Sequence, residues 1–513
     1  MCPHTAGIPE PRRFPGQGVL TQSVSEYLKM KEYTIPLIIR GRIIEDNLVR
    51  YEGRRGEIAF LTPDVNKYLD QIVLRNGADL QDYYSVSLDN ILDFLEELGR
   101  RLHPDINPDI RLALEMNMQS SGQSPDILRT AYVSFAANLR RTIVEEAVDQ
   151  NIGRDYLEGW KPRPLHDRDA MVRAFGSRIV HLNAGNAPNV ALHAVINGSV
   201  LRCDNIVKSP SNDPFTAVAI AKTMIAMDPD HPITRHMTVA YWKGGDLGFE
   251  KKLYDTRNID KIVAWGGPAS MNHIRQHLTS GLDLIALDPK VSASIIGAEA
   301  LESEEKMRWV AQQLAKDFGY FNQEGCGNSR LAYVVCGSDG PSLDRLNHFG
   351  RLVHEALQAL PAAYSSPHPA FDPVLRDEIE GIRYSEDYRV FGVKANEGGV
   401  IVSQQAEAVE FSDRIGGRVI NIIPVPDLDA AVAAVTIHTQ TIGIYPDATQ
   451  AEIADRCMLR GAQRLSPLGC IAYEGLGYPH DAMEIMRRLA RWGVREQFDE
   501  AIAEAGAGMM CAA

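Results

Sequence analysis

The chain has 513 residues and carries 53 lysines and arginines against 67 aspartates and glutamates, a formal charge of -14. That excess of acid opposes binding to nucleic acid or an anionic membrane, and the length exceeds what one hydrophobic core fills, so at least two lobes are expected. The opening MCPHTAGIPEPRRF lacks the apolar core of a signal peptide and no run approaches the roughly 20 apolar residues of a membrane span, which predicts a cytoplasmic protein without a membrane span.

Residues 32 to 47 (EYTIPLIIRGRIIEDN) are rich in isoleucine and broken by Arg-Gly, the pattern of a strand pair. From 87 to 150, segments such as LDNILDFLEELGRRL space their apolar residues by three and four, which predicts a helical block. From about 177 short apolar runs (SRIVHL, NIVKSP, MTVAYW, KIVAWG, DLIAL) alternate with helix-length stretches, the rhythm of βαβ units and a parallel sheet whose ligands sit at the carboxyl ends of the strands. A second α/β series follows residue 326: LAYVVCG, a helix from about 341 to 360, YRVFGVKAN, GGVIVSQ, RVINIIPV and DLDAAVAAVTI. The expected organisation is an N-terminal extension with the strand pair (1–86), a helical block and dinucleotide-binding domain (87–289), a catalytic domain (290–476), and a C-terminal helix and tail (477–513).

The seven cysteines (2, 203, 326, 336, 457, 470, 511) show no CxxC pairing, so they are expected to be reduced thiols and no metal site is expected. Cys511-Ala512-Ala513 falls one residue short of a prenylation box. Cys326 alone stands between two glycines, in Asn322-Gln323-Glu324-Gly325-Cys326-Gly327-Asn328. Either an accessible thiol or a structural cysteine in a Gly-rich turn fits that setting. Asn186, in Ala184-Gly185-Asn186-Ala187-Pro188, follows a strand and opens a helix, where its amide can face developing negative charge or simply form a turn. Lys208 ends NIVKSPSNDP and fits a phosphate or ribose contact as well as a solvated lysine. Gly266 and Gly267, in Trp265-Gly266-Gly267-Pro268, fit a phosphate-binding helix start or a tight turn. His480 and Asp481 fit either a proton-handling pair or a helix start.

Taken together and in this order, the four segments resemble the aldehyde dehydrogenase superfamily, with intervals of 22 residues from Asn186 to Lys208, 58 to Gly266 and 60 to Cys326. Within it, HLNAGNAPNV, IVKSPSNDP, VAYWKGG, VAWGGPASMNHIR, KDFGYFNQEGC and YPHDA resemble the long-chain fatty acyl-CoA reductases of the bioluminescence type, from about 177 to 492. The resemblance implies an aldehyde dehydrogenase-like α/β fold of two lobes. It also implies that Cys326 is the nucleophile, that Asn186 holds the oxyanion, and that Lys208, Ser209, Ser211, Gly244, Gly266 and Gly267 lie on the cofactor side. An acyl-CoA or acyl-carrier thioester would be the substrate and a homo-oligomer the assembly, with an acyl-transfer partner left open.

Departures from ordinary aldehyde dehydrogenases sharpen this reading. The glutamate of their Glu-Leu-Gly-Gly-Lys segment, which activates the hydrolytic water, aligns with Ala286 of Ala286-Leu287-Asp288-Pro289-Lys290, so a thioester on Cys326 is expected to be reduced rather than hydrolysed. Their Glu-x-Phe-Gly segment aligns with Arg414-Ile415-Gly416-Gly417, which puts that nicotinamide-ribose contact in doubt. Ser211 takes the place of the glutamate that repels a 2′-phosphate, which predicts NADPH as cofactor with NADH possible. Two rivals stand beside this reading: a conventional aldehyde-oxidising enzyme, and a catalytically silent scaffold for an acyl-transfer partner.

Overall fold

The computed structural model describes residues 32–54, 58–164, 169–473 and 475–497. Cys2, the opening segment, and Cys511-Ala512-Ala513 with the rest of the tail from 498 lie outside them. Two seven-stranded sheets organise the rest, each the centre of an α/β lobe.

In the first lobe five parallel strands run in the spatial order Asp283–Leu287, Lys261–Trp265, Arg178–Leu182, Asp204–Lys208, Met237–Ala240. The three inner strands are buried over most of their length, which is why each holds a short apolar run; the buried polar pair His181 and Asn205 on neighbouring strands satisfies itself at 3.0 Å. Strand order reverses between Arg178–Leu182 and Lys261–Trp265, so the loops after these strands, Asn183 onward and Gly266-Gly267, border the crevice where such sheets bind ligands. The helical block packs onto this sheet. Its helix Leu88–Arg101 is capped by Ser87, whose hydroxyl accepts from Asn90 N at 3.2 Å, and buries Leu88, Ile91, Leu92, Leu95 and Leu98 in the same core as Ile179 and Val207.

The strand pair is the hairpin Leu37–Ile39 and Arg42–Ile44, closed by Arg40 and Gly41 at positive φ as a two-residue turn demands. It does not stand apart as an N-terminal extension: Leu37–Ile39 pairs antiparallel with Met237–Ala240 and completes the first sheet. Arg40 fixes it there through Asp204 at 2.9 Å, a carboxylate that also receives His236 Nδ1 at 3.0 Å.

The second sheet runs Tyr388–Gly392, Gly399–Ser403, Val419–Val425, Ser329–Val335, Val291–Ile296, Thr439–Tyr445, Arg464–Pro467, parallel except for the first strand. The last strand of the first sheet ends at Leu287 and this sheet begins at Val291. The C-terminal segment differs from the helix and tail expected. After the short helix Ile485–Leu489, residues Arg491–Gln497 form a strand that pairs antiparallel with Asp169–Phe175, because backbone groups offered by that strand outweigh the weak local preference of RWGVREQ. No helix of the described residues is long and apolar enough to cross a membrane.

Candidate active site

Between the helix Glu304–Gly319 and the strand Ser329–Val335 the chain must turn sharply, and it does so with Phe321, Asn322 and Gln323 all in the left-handed region (φ 54°, 51° and 66°). Such residues cost on the order of 1–3 kcal/mol each and persist only where surroundings hold them. Gln323 is held on three bonds: its amide donates to the carbonyls of Ser329 and Val419, each at 2.7 Å, and its oxygen accepts from Val419 N at 3.0 Å. Asn322 donates to Gln123 Oε1 at 3.2 Å and accepts from Ser366 N at 3.0 Å, while Gln123 donates to Phe321 O at 2.9 Å. The glutamine three residues before the cysteine is thus a clamp on the loop.

Cys326 emerges from this turn exposed. Ser292 Oγ donates to its carbonyl at 2.8 Å, and Gly325 N donates to Asn328 Oδ1 at 3.0 Å. Asn186, from the first lobe, donates its amide to the carbonyl of Glu324 at 2.9 Å, so the crossing of lobes brings the two expected catalytic residues to one loop. Arg330 is a neighbour that the sequence did not mark: burial lowers its pKa while the charges of Glu324 and Cys326 oppose that shift. A cation there favours a thiolate. By contrast burial pushes Cys203 up to about 12 and Cys336 up to about 11, which keeps both as thiols.

A cavity of about 640 Å³ opens along the helix that follows the Asn186 turn, within the range of about 300–1,000 Å³ usual for small-molecule sites. Leu192 and Ile196 of the helix Val190–Val200, Ile143, Trp265, Leu476 and Met486 give it apolar walls, and Asn189, His193, Tyr478 and His480 add polar groups. Ala472 lines the cavity, and its chain neighbour Ile471 would be approached to 3.3 Å by a side chain on Gly327 of the nucleophile loop. His480 and Asp481 do not start a helix. Asp481 and Ala482 are left-handed (φ 48° and 60°), the turn is closed by backbone bonds between His480 and Met483, and the helix begins only at Ile485. Gln440 holds Asp481 at 2.7 Å, and the His480 ring lies 5.3 Å from that of Trp265.

On the other side of the crevice Lys208 ends its strand over the rings of Tyr241 and Trp242, at 5.7 and 5.6 Å, and forms no ion pair among the described residues. Burial pushes its pKa down to about 8, with Glu250 acting in the opposite direction. The Ser209 hydroxyl is buried without a hydrogen-bond partner. A side chain at Gly244 or Gly267 would meet open space, whereas one at Gly266 would press on Ser270 at 3.2 Å. The carbonyl of Ser211 lies 3.6 Å from where a side chain on Gly53 would sit, which brings the Gly53-Arg54 turn of the N-terminal strands to this place. An unpaired lysine, an orphaned hydroxyl and two open glycine positions fit a phosphate-bearing dinucleotide. Where a hydrolytic carboxylate is absent from the sequence, Ala286 presents only a methyl; Asp288 nearby is held by Arg275 at 3.0 and 3.1 Å, and Arg414 is turned to Glu378.

A family model described as acyl-CoA reductase (LuxC) matches residues 84–492. A long-chain acyl-protein thioester reductase of Vibrio harveyi is 27% identical over 480 residues, covering 91% of this chain and 94% of that protein. One of Aliivibrio fischeri is 24% identical over 481 residues, covering 90% and 93%. Among solved structures, aldehyde dehydrogenase 21 from Physcomitrella patens superimposes with a TM-score of 0.67 at 14% identity, covering 91% of this chain and 99% of that one. An NADP-dependent glyceraldehyde-3-phosphate dehydrogenase from Bacillus halodurans, complexed with NADP, gives 0.66 at 13% identity, covering 90% and 99%. The fold expected from the resemblance, two α/β lobes of the aldehyde dehydrogenase kind, is the fold observed.

Proposed function

Because the chain belongs to the acyl-CoA reductase (LuxC) family, we propose that it reduces a fatty acyl thioester to the aldehyde through an acyl group carried on Cys326. The observation that carries this reading is the meeting of the Asn186 amide with the backbone of the Cys326 loop; the alignment that puts Ala286 in place of a water-activating glutamate supports it.

The Cys326 thiolate, favoured by Arg330, attacks the thioester carbonyl and forms a new C–S bond. The oxyanion that develops is received by the Asn186 amide and the Cys326 N–H, each such donor contributing about 3–4 kcal/mol to the transition state. Collapse breaks the old C–S bond, the donor thiolate leaves and takes up a proton, and the acyl group remains on Cys326. A bound nicotinamide cofactor supplies the hydride that reduces the acyl carbon. The same two donors then hold the second oxyanion, and its collapse expels the Cys326 thiolate and frees the aldehyde. Lys208, Ser209, Gly244, Gly266 and Gly267 would hold the dinucleotide, and Leu192, Ile196 and Trp265 would bury the acyl chain.

NADPH is the expected reductant, since Ser211 brings no negative charge and Arg54 lies in the adjoining turn. The donor is CoA or, as the names of the relatives suggest, a protein thioester. The test supplies long-chain acyl-CoA and NADPH, then measures aldehyde, cofactor oxidation and the intact mass of the protein. Fatty acid in place of aldehyde would mark a hydrolytic enzyme, and absence of any acyl adduct or turnover with either donor would mark a scaffold.

A further inference from the structure

We propose that Glu250, His273 and His277 form a binding site for a divalent transition-metal ion of the zinc class, on the first lobe and apart from Cys326. One ligand atom from each of the three side chains lies within 4.8 Å of the other two. Glu250 comes from the helix Leu247–Leu253, His273 from the helix Pro268–Arg275, and His277 from the turn that ends this helix, with the two imidazole centroids 4.9 Å apart.

The groups are prepared for an ion in three ways. The Glu250 carboxylate is 3% exposed and oriented from behind, since Trp242 Nε1 and Gly245 N donate to Oε1 at 3.1 and 3.4 Å. Its other oxygen faces His273 Nε2 at 2.6 Å. His277 Nε2 is buried and has no hydrogen-bond partner, and the hydroxyl of Tyr254, whose ring lies 5.5 Å from that of His277, is buried without one too. Buried polar atoms left unbonded are rare and call for an explanation. A plain His273–Glu250 hydrogen bond accounts for neither.

Two imidazoles and one carboxylate are a donor set that zinc accepts, at about 2.0–2.2 Å per bond with a fourth position open to water; magnesium and calcium prefer oxygen alone. Drawing the three atoms onto such an ion takes side-chain shifts of about 1 Å given those bond lengths. His273 is partly exposed and offers the way in. The donors behind Glu250 act as the outer partners that metal-binding side chains regularly have.

The test titrates Co²⁺ into the metal-free full-length Cys326→Ala protein and follows visible absorption and tryptophan emission. We expect one equivalent bound with nitrogen–oxygen ligand-field bands, no thiolate-to-metal band, partial quenching through Trp242, and displacement by Zn²⁺. In the His273→Gln/His277→Gln double variant affinity should fall at least tenfold. Should that variant misfold, His277→Gln alone decides, because its Nε2 makes no hydrogen bond in the fold. Unchanged Co²⁺ affinity in the variants, a signal carried by a thiolate band, or no binding at millimolar Co²⁺ overturns the proposal.

Discussion

Asn186→Ala separates catalysis from stability at one position. Asn186 is exposed, and its one side-chain hydrogen bond among the described residues, to Glu324 O at 2.9 Å, is worth a net of about 0.5–1.5 kcal/mol. The loop it touches keeps the three bonds of Gln323 and the contacts of Asn322, so the fold should survive with a Tm lowered by only a few degrees. The loss in the transition state is larger: one missing oxyanion donor removes about 2.7–4 kcal/mol, or about a hundred- to a thousandfold in kcat. Single-turnover acylation, followed by thiol release, and reduction, followed by cofactor oxidation, should both slow, since both pass through an oxyanion at the same carbon. A rise in KM with kcat unchanged, or a kcat within about threefold of wild type, would refute the role given to Asn186.

Cys326→Ala should abolish the acyl adduct seen by intact mass, while Cys203→Ala and Cys336→Ala retain it, as the raised pKa of both those thiols requires. Ser211→Glu should shift the ratio of kcat/KM towards NADH by at least about tenfold, because a carboxylate there would face the 2′-phosphate; an unmoved ratio in steady-state kinetics counts against the assignment. Burial pushes Asp317 up to about 7, despite backbone donors from Gly469 and Ile471 at 2.9 and 3.2 Å. The folded state therefore keeps a proton that the unfolded chain sheds near pH 4, stability from this group falls as pH rises from about 4 to 7, and Asp317→Asn should flatten that slope in denaturant midpoints measured across the window.

Much of this arrangement was legible because the signals are local. Strands buried on both faces carry short apolar runs that stand out between helix-length stretches, and the flanking glycines and upstream glutamine of Cys326 mark its loop. What escaped depends on partners far along the chain. Gln123 meets Phe321 across 198 positions and carries no motif. The turn at His480 imitates a helix start, and only the bond from Gln440 and the left-handed backbone at Asp481 decide otherwise. Residues 491 to 497 become a strand because Asp169–Phe175 offers a free edge, a fact no window of that sequence contains.

The partners of the nucleophile loop also explain why its geometry should depend on the two lobes together. Three consecutive left-handed residues cost several kcal/mol in total on the scale of about 1–3 each, more than any one hydrogen bond returns at about 1 kcal/mol. The bonds that offset this come from both sides: Val419 and Ser366 belong to the second lobe, while Gln123 and Asn186 reach over from the first. Separate the lobes and the carbonyls of Phe321 and Glu324, on either side of the Asn322-Gln323 clamp, each lose a side-chain donor, while Phe321 N still donates to Tyr364 O at 2.8 Å and His368 still meets Glu324 at 3.1 Å. The turn that carries Cys326 is thus braced by both lobes, which also border the crevice. With Ala286 at the position aligned with a water-activating carboxylate, an acyl group on Cys326 would lack that general base, so reduction would have the advantage over hydrolysis.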